Sequence, residues 1–398
     1  MIRILTFTNL YPDSRRPRHG VFVEQRLLKL VSSGRVEARV VCPVPWCPLP
    51  LDKSFPQYRI RNIPFKEVRK GIVIYRPRYW VVPGLTSYIN PWSMARAGIS
   101  VIRKILKKEF NFDVIDAQFI YPDGIAGALI AKKISKPITL TARGSDVNVA
   151  LREFIPKKWF CLVMERVEAF ISVSLALQKG LVEVGVDPLR IHVIRNGVDL
   201  EIFKDRDRLQ LKKRLGFHNQ TILSVGNLVE EKGHHLVIQA IAKLPQIQLV
   251  VIGSGAQLSF LKEEAVKLRV ADRIRWVAHV DQSELADYYS AAEVTVLASS
   301  REGMPNVLLE SLACGTPVVA TNVGGSAEIV VDDSAGILID ERSDVAIASA
   351  IKNLLDDPLE RAVTRAYAQR FSWREPIAQQ LSLLERIVAE HQVLKAIK

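Results

Sequence analysis

The chain has 398 residues, 48% of them hydrophobic and 24% charged, with a formal net charge of +13 and four cysteines. That length exceeds one ordinary core, so two domains are expected, and the balanced composition excludes a disordered or low-complexity chain. No segment approaches the roughly 18 uninterrupted apolar residues of a membrane span, and the apolar start at Met1 is too short and polar-spotted for a signal peptide. A cytosolic protein is the expectation. Cys42, Cys47, Cys161 and Cys314 are scattered without CxxC or zinc spacing, as inert thiols in a reducing compartment would be.

The charge is uneven. Residues 1–195 hold 32 Lys/Arg against 15 Asp/Glu, whereas residues 196–398 hold 23 against 27. The positive field of the first half attracts polyanions: nucleic acid, anionic lipid or phosphorylated substrates.

In chain order, the first half offers strand-like β-branched runs at Arg3–Thr8, Ala38–Cys42, Ile72–Tyr75, Val114–Ala117, Ile138–Thr141, Phe170–Ser174 and Ile191–Ile194. Helical patterns such as Phe22–Ser32 and Asp123–Ile134 lie between them. A break follows near Arg195–Asp207. The alternation then repeats, with strands at Thr221–Val225, Leu249–Ile252, Ile274–Val277, Val294–Ala298, Val318–Thr321 and Ile337–Ile339. Helices are expected around His234–Leu244, Leu258–Leu268, Glu284–Ala292, Asn306–Cys314 and Asp344–Leu355. Strands buried on both faces and separated by helices form parallel sheets through right-handed crossovers. The predicted class is α/β, with two doubly wound Rossmann-like domains, 1–195 and 196–373, facing across a cleft. A last helical pattern, Pro376–Gln392 within residues 374–398, is expected to cross back to the first domain. Ligands of such sheets bind outside the carboxyl ends of the strands, so the cleft is the expected site.

Several loops carry candidate chemistry. Tyr11-Pro-Asp-Ser-Arg15-Arg16-Pro-Arg18-His19-Gly20 runs from the first strand into a helix. Gly20 permits close backbone approach at a helix N-terminus. Arg15, Arg16 and Arg18 would meet a phosphorylated acceptor, or else form a solvated basic turn. Leu85–Phe110 carries Tyr88, Trp92, Met94, Ile99 and Leu106 beside Arg96, Arg103, Lys104, Lys107 and Lys108. It reads as a basic amphipathic helix for an anionic membrane surface, or as an ordinary packed helix with a solvated face.

Thr141-Ala-Arg143-Gly144-Ser145-Asp146 follows another strand end. Arg143 is a fixed cation that cannot serve as a base at neutral pH. It suits steering of a phosphate or a sugar hydroxyl, with Asp146 orienting the loop, binding acceptor, or forming a salt bridge to Arg143. In Gly226-Asn227-Leu-Val-Glu-Glu-Lys232-Gly233, Lys232 follows a strand end, where it suits an anionic phosphate or is a solvated loop lysine. Arg301-Glu302-Gly303-Met304-Pro305-Asn306-Val307-Leu-Leu-Glu310-Ser311 opens a helix whose free N–H groups and dipole suit a diphosphate. Glu302 and Glu310 are acceptors for vicinal hydroxyls, or a helix-start acid and a solvated helix residue. His192, His234 and His235 read as surface residues. No set of carboxylates or histidines is read at metal-ligand spacing and no Asp-x-Asp triplet is read, so neither a metal nor a cofactor is expected.

Glu302-x7-Glu310, with Ala313-Cys-Gly315-Thr-Pro, Gly324-Gly325-Ser-Ala-Glu328, Lys232-Gly233, Gly253-Ser-Gly255 and Asn196-Gly-Val-Asp199, closely resembles the retaining GT-B glycosyltransferases of family 4, also called group 1. His19-Gly-Val-Phe-Val-Glu24-Gln resembles the subset of exopolysaccharide and teichuronic-acid-type transferases. The resemblance implies a hexosyltransferase that takes a sugar from a UDP- or GDP-sugar and delivers it with retention to a carbohydrate or lipid-linked acceptor. It places such an enzyme in cell-surface polysaccharide synthesis, on the inner face of the membrane. By the same resemblance Glu310 binds the ribose, Glu302 faces the donor sugar, and the backbone of Gly303–Val307 contacts sugar and phosphate. Gly20, Gly226 and Asn227 line the donor site, and His279 and Val280 hold the base. Two departures stand out: Asn227 takes a position often held by arginine, and Arg143 one often held by histidine. A sugar-nucleotide epimerase would share the fold but lack the Glu-x7-Glu segment. A non-catalytic nucleotide- or nucleic-acid-binding protein would explain the basic half. Neither an aromatic platform nor a basic recognition helix supports a nucleic-acid partner.

Overall fold

A computed structural model describes residues 1–17, 19–47, 63–106 and 109–397. Arg18, Lys107 and Lys108 lie outside these described residues. Two compact units emerge: residues 1–195 with 375–398, and residues 196–374.

In the first unit, ten strands follow in chain order: β1 (Ile2–Phe7), β2 (Val36–Val41), β3 (Val44–Trp46), β4 (Lys66–Arg69), β5 (Ile72–Tyr75), β6 (Arg78–Trp80), β7 (Val114–Gln118), β8 (Ile138–Ala142), β9 (Ala169–Ser172) and β10 (Ile191–Val193). Every residue of β7, β8 and β9 is buried, because both faces of the sheet are covered. The sheet order is β10-β9-β8-β7-β1-β2-β5-β4, parallel except for the antiparallel edge strand β4. β3 and β6 form a separate parallel pair.

Helix Thr86–Val101 packs on helix Ile125–Ile134 through Gly98, where an added Cβ would lie 2.8 Å from both Ile130 and Phe7. The helix is packed, as the plainer reading of Leu85–Phe110 expected, yet it leaves Tyr88, Trp92 and Arg96 exposed. It ends sooner than that reading, giving way to a wider turn at Ile102–Leu106.

The terminal helix Arg374–Ile397 belongs to the first unit from Glu375 onward. Its Gln380 Oε1 accepts from Arg26 Nε at 2.6 Å, and Arg26 Nη1 donates to the Ile194 carbonyl at 3.2 Å. One buried guanidinium thus joins helix Val21–Ser32, the end of β10 and the returning helix. Its burial lowers the Arg26 pKa to about 9. Arg35 pairs with Glu385 farther along the same helix.

The second unit holds β11 (Gln220–Val225), β12 (Ile247–Ile252), β13 (Ile274–Val277), β14 (Val294–Leu297), β15 (Val318–Thr321) and β16 (Gly336–Ile339). All pair in parallel, in the order β13-β12-β11-β14-β15-β16. Its core joins Ile222, Leu249, Val251 and Val296 of the sheet to Val237, Ile241, Ile347 and Ile351 of the covering helices. No helix among the described residues is long and apolar enough to cross a membrane.

Replacing Gly98 with Leu should lift helix Thr86–Val101 from its neighbour and destabilise the first unit by about 1–3 kcal/mol, the usual cost of overpacking. Thermal unfolding followed by circular dichroism checks this. An unchanged first transition would mean that the helix is not held by that contact.

Candidate functional site

A doubly wound sheet opens a crevice where consecutive strands leave in opposite directions. In the second unit that point lies between β11 and β14. The loops leaving these two strands carry Gly226–Gly233 and Ala298–Pro305, and the structure stitches them together. Lys232 Nζ donates to Glu302 Oε1 at 2.5 Å, and Ser299 Oγ donates to the same oxygen at 2.7 Å. The Ser300 amide donates to the Glu231 carbonyl at 2.8 Å, and Arg301 pairs with Glu231 at 2.5 Å. Both members of the Lys232–Glu302 pair are mostly withdrawn from water, the Glu302 side chain more so.

Each loop is held from behind by glycine. Gly324 (φ +52°) sits so close to the Ala298–Pro305 loop that a Cβ would fall 2.0 Å from the Glu302 carbonyl oxygen. The Gly325 amide donates to the Gly303 carbonyl at 3.1 Å. Only residues without side chains permit this approach, which gives Gly324-Gly325 a local reason. Gly253, likewise, would drive a Cβ to 1.8 Å from the Gly226 carbonyl oxygen, and Leu228 N bonds to Ser254 O at 2.9 Å.

His234 is a correction to the sequence reading. It is buried: its Nδ1 lies 2.7 Å from Ser224 Oγ and its Nε2 lies 3.2 Å from the Asn227 carbonyl. The carbonyl needs a donor, so Nε2 carries the proton and Nδ1 accepts from the serine. Burial pushes its pKa down to about 4, so the ring is neutral at pH 7 and holds the Gly226-Asn227 turn as an uncharged strut. Asn227 itself is exposed, with its carbonyl turned inward to the imidazole.

Helix Asn306–Ala313 starts at the end of the Ala298–Pro305 loop, with Pro305 before its first turn and no side-chain cap on its N–H groups. Gly303, Met304 and Pro305 are buried, and Asn306 Oδ1 accepts from Asn196 at 3.0 Å. Val307 follows in the first turn. Glu310, one turn on, accepts from the Tyr289 hydroxyl at 3.1 Å, and burial raises its pKa to about 7. It is not a solvated helix residue. His279 is exposed on the loop after β13, beside the buried Val280. An Asp-x-Asp triplet does occur, Asp205-Arg206-Asp207, and it is structural: Asp205 pairs with Arg361, and Asp207 caps helix Arg208–Leu215.

In the first unit the crevice lies between β1 and β7. Asp123 joins the two loops there, accepting from Thr8 Oγ1 at 3.0 Å and from the Asn9 amide at 2.8 Å, and burial raises its pKa to about 8. Gly20 (φ +76°) presses on the Leu10 carbonyl, where a Cβ would lie 2.1 Å away, so its close approach is taken by its own chain. Arg16 forms two bonds to Asp13 Oδ2, at 3.0 and 2.9 Å, whereas Arg15 is exposed.

Asp146 corrects the acceptor expectation. It is fully buried and takes the amides of Ile120 (2.9 Å), Gly144 (2.7 Å), Val147 and Arg143 (both 3.1 Å). The carboxylate is spent on the loop, so it organises backbone and does not face an acceptor. Arg143 is bonded to Gln118 Oε1, whose amide donates to Asp116 Oδ2 at 2.6 Å, and its guanidinium lies 5.3 Å from the Phe22 ring centre. Burial lowers its pKa to about 10, still a cation at neutral pH. Among described residues, no His/Cys/Asp/Glu group is arranged to hold a metal.

Residues 30–202 match the family described as Glycosyltransferase Family 4, and residues 205–371 match Glycosyl transferases group 1. A Bacillus subtilis protein named for teichuronic acid biosynthesis glycosyltransferase, TuaC, is 32% identical over 358 residues, 88% of each chain. The D-inositol 3-phosphate glycosyltransferase of Xylanimonas cellulosilytica is 31% identical over 347 residues, 80% of this chain and 83% of the relative. Among solved structures, sucrose-phosphate synthase from Thermosynechococcus elongatus superposes with a TM-score of 0.80 at 20% identity, covering 98% of this chain and 100% of that one. Anabaena HepE in complex with UDP and glucose gives 0.74 at 19% identity, covering 97% and 99%.

Two outcomes follow from this geometry. Gly324→Ala should displace the Glu302 backbone, reducing nucleotide affinity in calorimetric titration while far-UV dichroism stays native. Retained affinity would show that the loop tolerates the shift. For Glu310 the folded pKa of about 7 exceeds its ordinary 4.5. Its contribution to stability is therefore complete below about 4.5 and is lost as pH rises through about 7. The thermal stability of Glu310→Gln relative to the parent should improve between pH 5 and pH 8, and a pH-independent difference would contradict the assignment.

Proposed function

This chain belongs to the group 1 glycosyltransferases of family 4, with the GT-B fold, and from that membership we propose that it transfers a hexosyl group from a UDP- or GDP-sugar with retention of anomeric configuration. The observation that carries the reading is the meeting of Lys232 and Glu302 at the switch point of the second sheet, beside an uncapped helix N-terminus. A cation and free N–H groups there suit the diphosphate. Glu310, already bonded to Tyr289, accepts a ribose hydroxyl. The nucleotide base lies near His279 and Val280. Family membership supports this residue-by-residue assignment, as does the fold shared with HepE, whose structure is a complex with UDP and glucose.

Transfer takes place in one step. The bond from the anomeric carbon to the diphosphate oxygen breaks, and a bond from that carbon to the acceptor oxygen forms on the same face. The acceptor's proton passes to the departing phosphate oxygen. Lys232 and the amides of Asn306 and Val307 stabilise the charge that grows on the diphosphate. Glu302 positions the sugar and stabilises positive character on its ring. These groups supply the countercharge that a divalent ion would otherwise provide, so the reaction is metal-independent and uses no cofactor.

The acceptor is a carbohydrate or a lipid-linked glycan of cell-surface polysaccharide synthesis. The name of the Bacillus relative supports that class. Arg143 is the first unit's fixed cation for a phosphate or sugar hydroxyl, and the exposed Arg15 is a candidate contact for a phosphorylated acceptor. The basic surplus of residues 1–195 suits a peripheral position on an anionic membrane surface.

Incubating the purified protein with UDP- and GDP-sugars, with and without lipid extract, should release nucleoside diphosphate, and the product's anomeric signal should match the donor's. An inverted product would overturn retention, and an epimerised donor without transfer would overturn the transferase reading. EDTA should leave the rate unchanged. Loss of activity restored by manganese or magnesium would refute metal independence. Glu310→Ala should weaken donor binding by about 1.5–3 kcal/mol, the range for a hydrogen bond to a charged group, and an unchanged dissociation constant would remove the ribose role.

A further inference from the structure

Strand β6 exposes Arg78 and Trp80 on one side and buries Tyr79 on the other. Helix Thr86–Val101 runs beside it, and between them lies a groove of about 710 Å³. Its wall follows the helix from Ile89 to Lys104, a span of roughly 20 Å at the helical rise. The floor is apolar, with Tyr79 and Val101 almost completely buried. Trp80 is 62% exposed and Trp92 is 55% exposed, an unusual display of large aromatic surface. Trp80 is braced edge-on by Trp46, with ring centres 5.4 Å apart, and Arg96 lies over Trp92 at 5.7 Å. Three exposed cations line the groove, Arg78, Arg96 and Lys104, and no carboxylate lines it among the described residues.

An apolar trough with cations on its rim is complementary to one kind of molecule, a hydrocarbon chain that ends in an anion. We propose that this groove holds a single membrane lipid phosphate, its chain against Trp80, Ile89 and Trp92 and its phosphate on Arg78, Arg96 and Lys104. The proposal rests on the membrane reading above only for the source of the ligand. It replaces a diffuse attraction of a basic face with a saturable site. A flat interfacial helix needs no groove, and a soluble sugar phosphate would leave most of the apolar length of the trough uncovered.

Tryptophan fluorescence reads the site directly, since Trp80 and Trp92 line it. Farnesyl phosphate added below its aggregation limit should change the emission saturably and bind roughly tenfold or more tightly than farnesol. Ala97→Phe, which fills the groove, should abolish that response. The triple variant Arg78→Glu, Arg96→Glu and Lys104→Glu should lose the preference for phosphate over alcohol. Phosphatidylglycerol vesicles should compete with farnesyl phosphate, and phosphatidylcholine vesicles should not. Equal binding of farnesyl phosphate and farnesol, full competition by inorganic phosphate alone, or vesicle binding unaffected by Ala97→Phe would each overturn the groove as a lipid-phosphate site. Donor turnover to water measured on the same samples separates the two readings. Its absence with intact fluorescence binding would count against the transferase assignment and leave the groove standing.

Discussion

The second unit is organised around the contact between Lys232 and Glu302. Two loops leave neighbouring strands at the place where the chain order of this sheet reverses, and each carries one member of the pair. Removing a charge from water costs several kcal/mol unless a partner offsets it. Neither side chain could stay in this half-buried position alone, so the two loops fix one another. The Ser299 hydroxyl completes the shell of Glu302, and the glycine pair Gly324-Gly325 closes on its backbone from behind. A phosphate arriving at Lys232 would meet a cation already aimed and partly desolvated, which lowers the reorganisation needed at the moment of bond cleavage.

The first unit uses buried polarity differently. Asp123, Asp146, Asp116 and Arg26 are all enclosed, and their partners are mostly amides, hydroxyls and side-chain amides. These groups hold strand-end loops and the returning helix in fixed positions. Arg143 stands at the end of one such chain, Asp116 to Gln118 to Arg143. A guanidinium held from behind offers a fixed charge and no proton at neutral pH, so Arg143 suits orienting an anion or hydroxyl and not general-base work.

The fold was legible because the central strands are buried on both faces and rich in β-branched residues. β7, β8, β14 and β15 could be placed to within a residue from their composition, and two sheets of alternating strand and helix followed. β3, β4 and β6 were missed for a physical reason: Lys66–Arg69 is an edge strand with a solvated face, and Val44–Trp46 and Arg78–Trp80 each span only three residues. The site was legible where a motif met a strand end, as at Lys232 and at Glu302–Glu310. It was not legible where burial decided the role. Nothing local in the sequence distinguishes His234, a neutral strut, from the half-buried His235 beside it. The enclosure of Asp146 depends on Ile120, 26 residues earlier, and the Tyr289 partner of Glu310 comes from another helix. Both are products of packing.

The most direct test is a double-mutant cycle on Lys232→Met and Glu302→Gln, read as kcat/KM for donor turnover with thermal stability measured alongside. If the pair acts as one device at the diphosphate and the sugar, each single variant should lose most of the activity. The double variant should then be little worse than the poorer single one, because residues that work as a unit are non-additive. Strictly additive losses, or losses of stability that leave donor turnover intact in all three variants, would contradict the account.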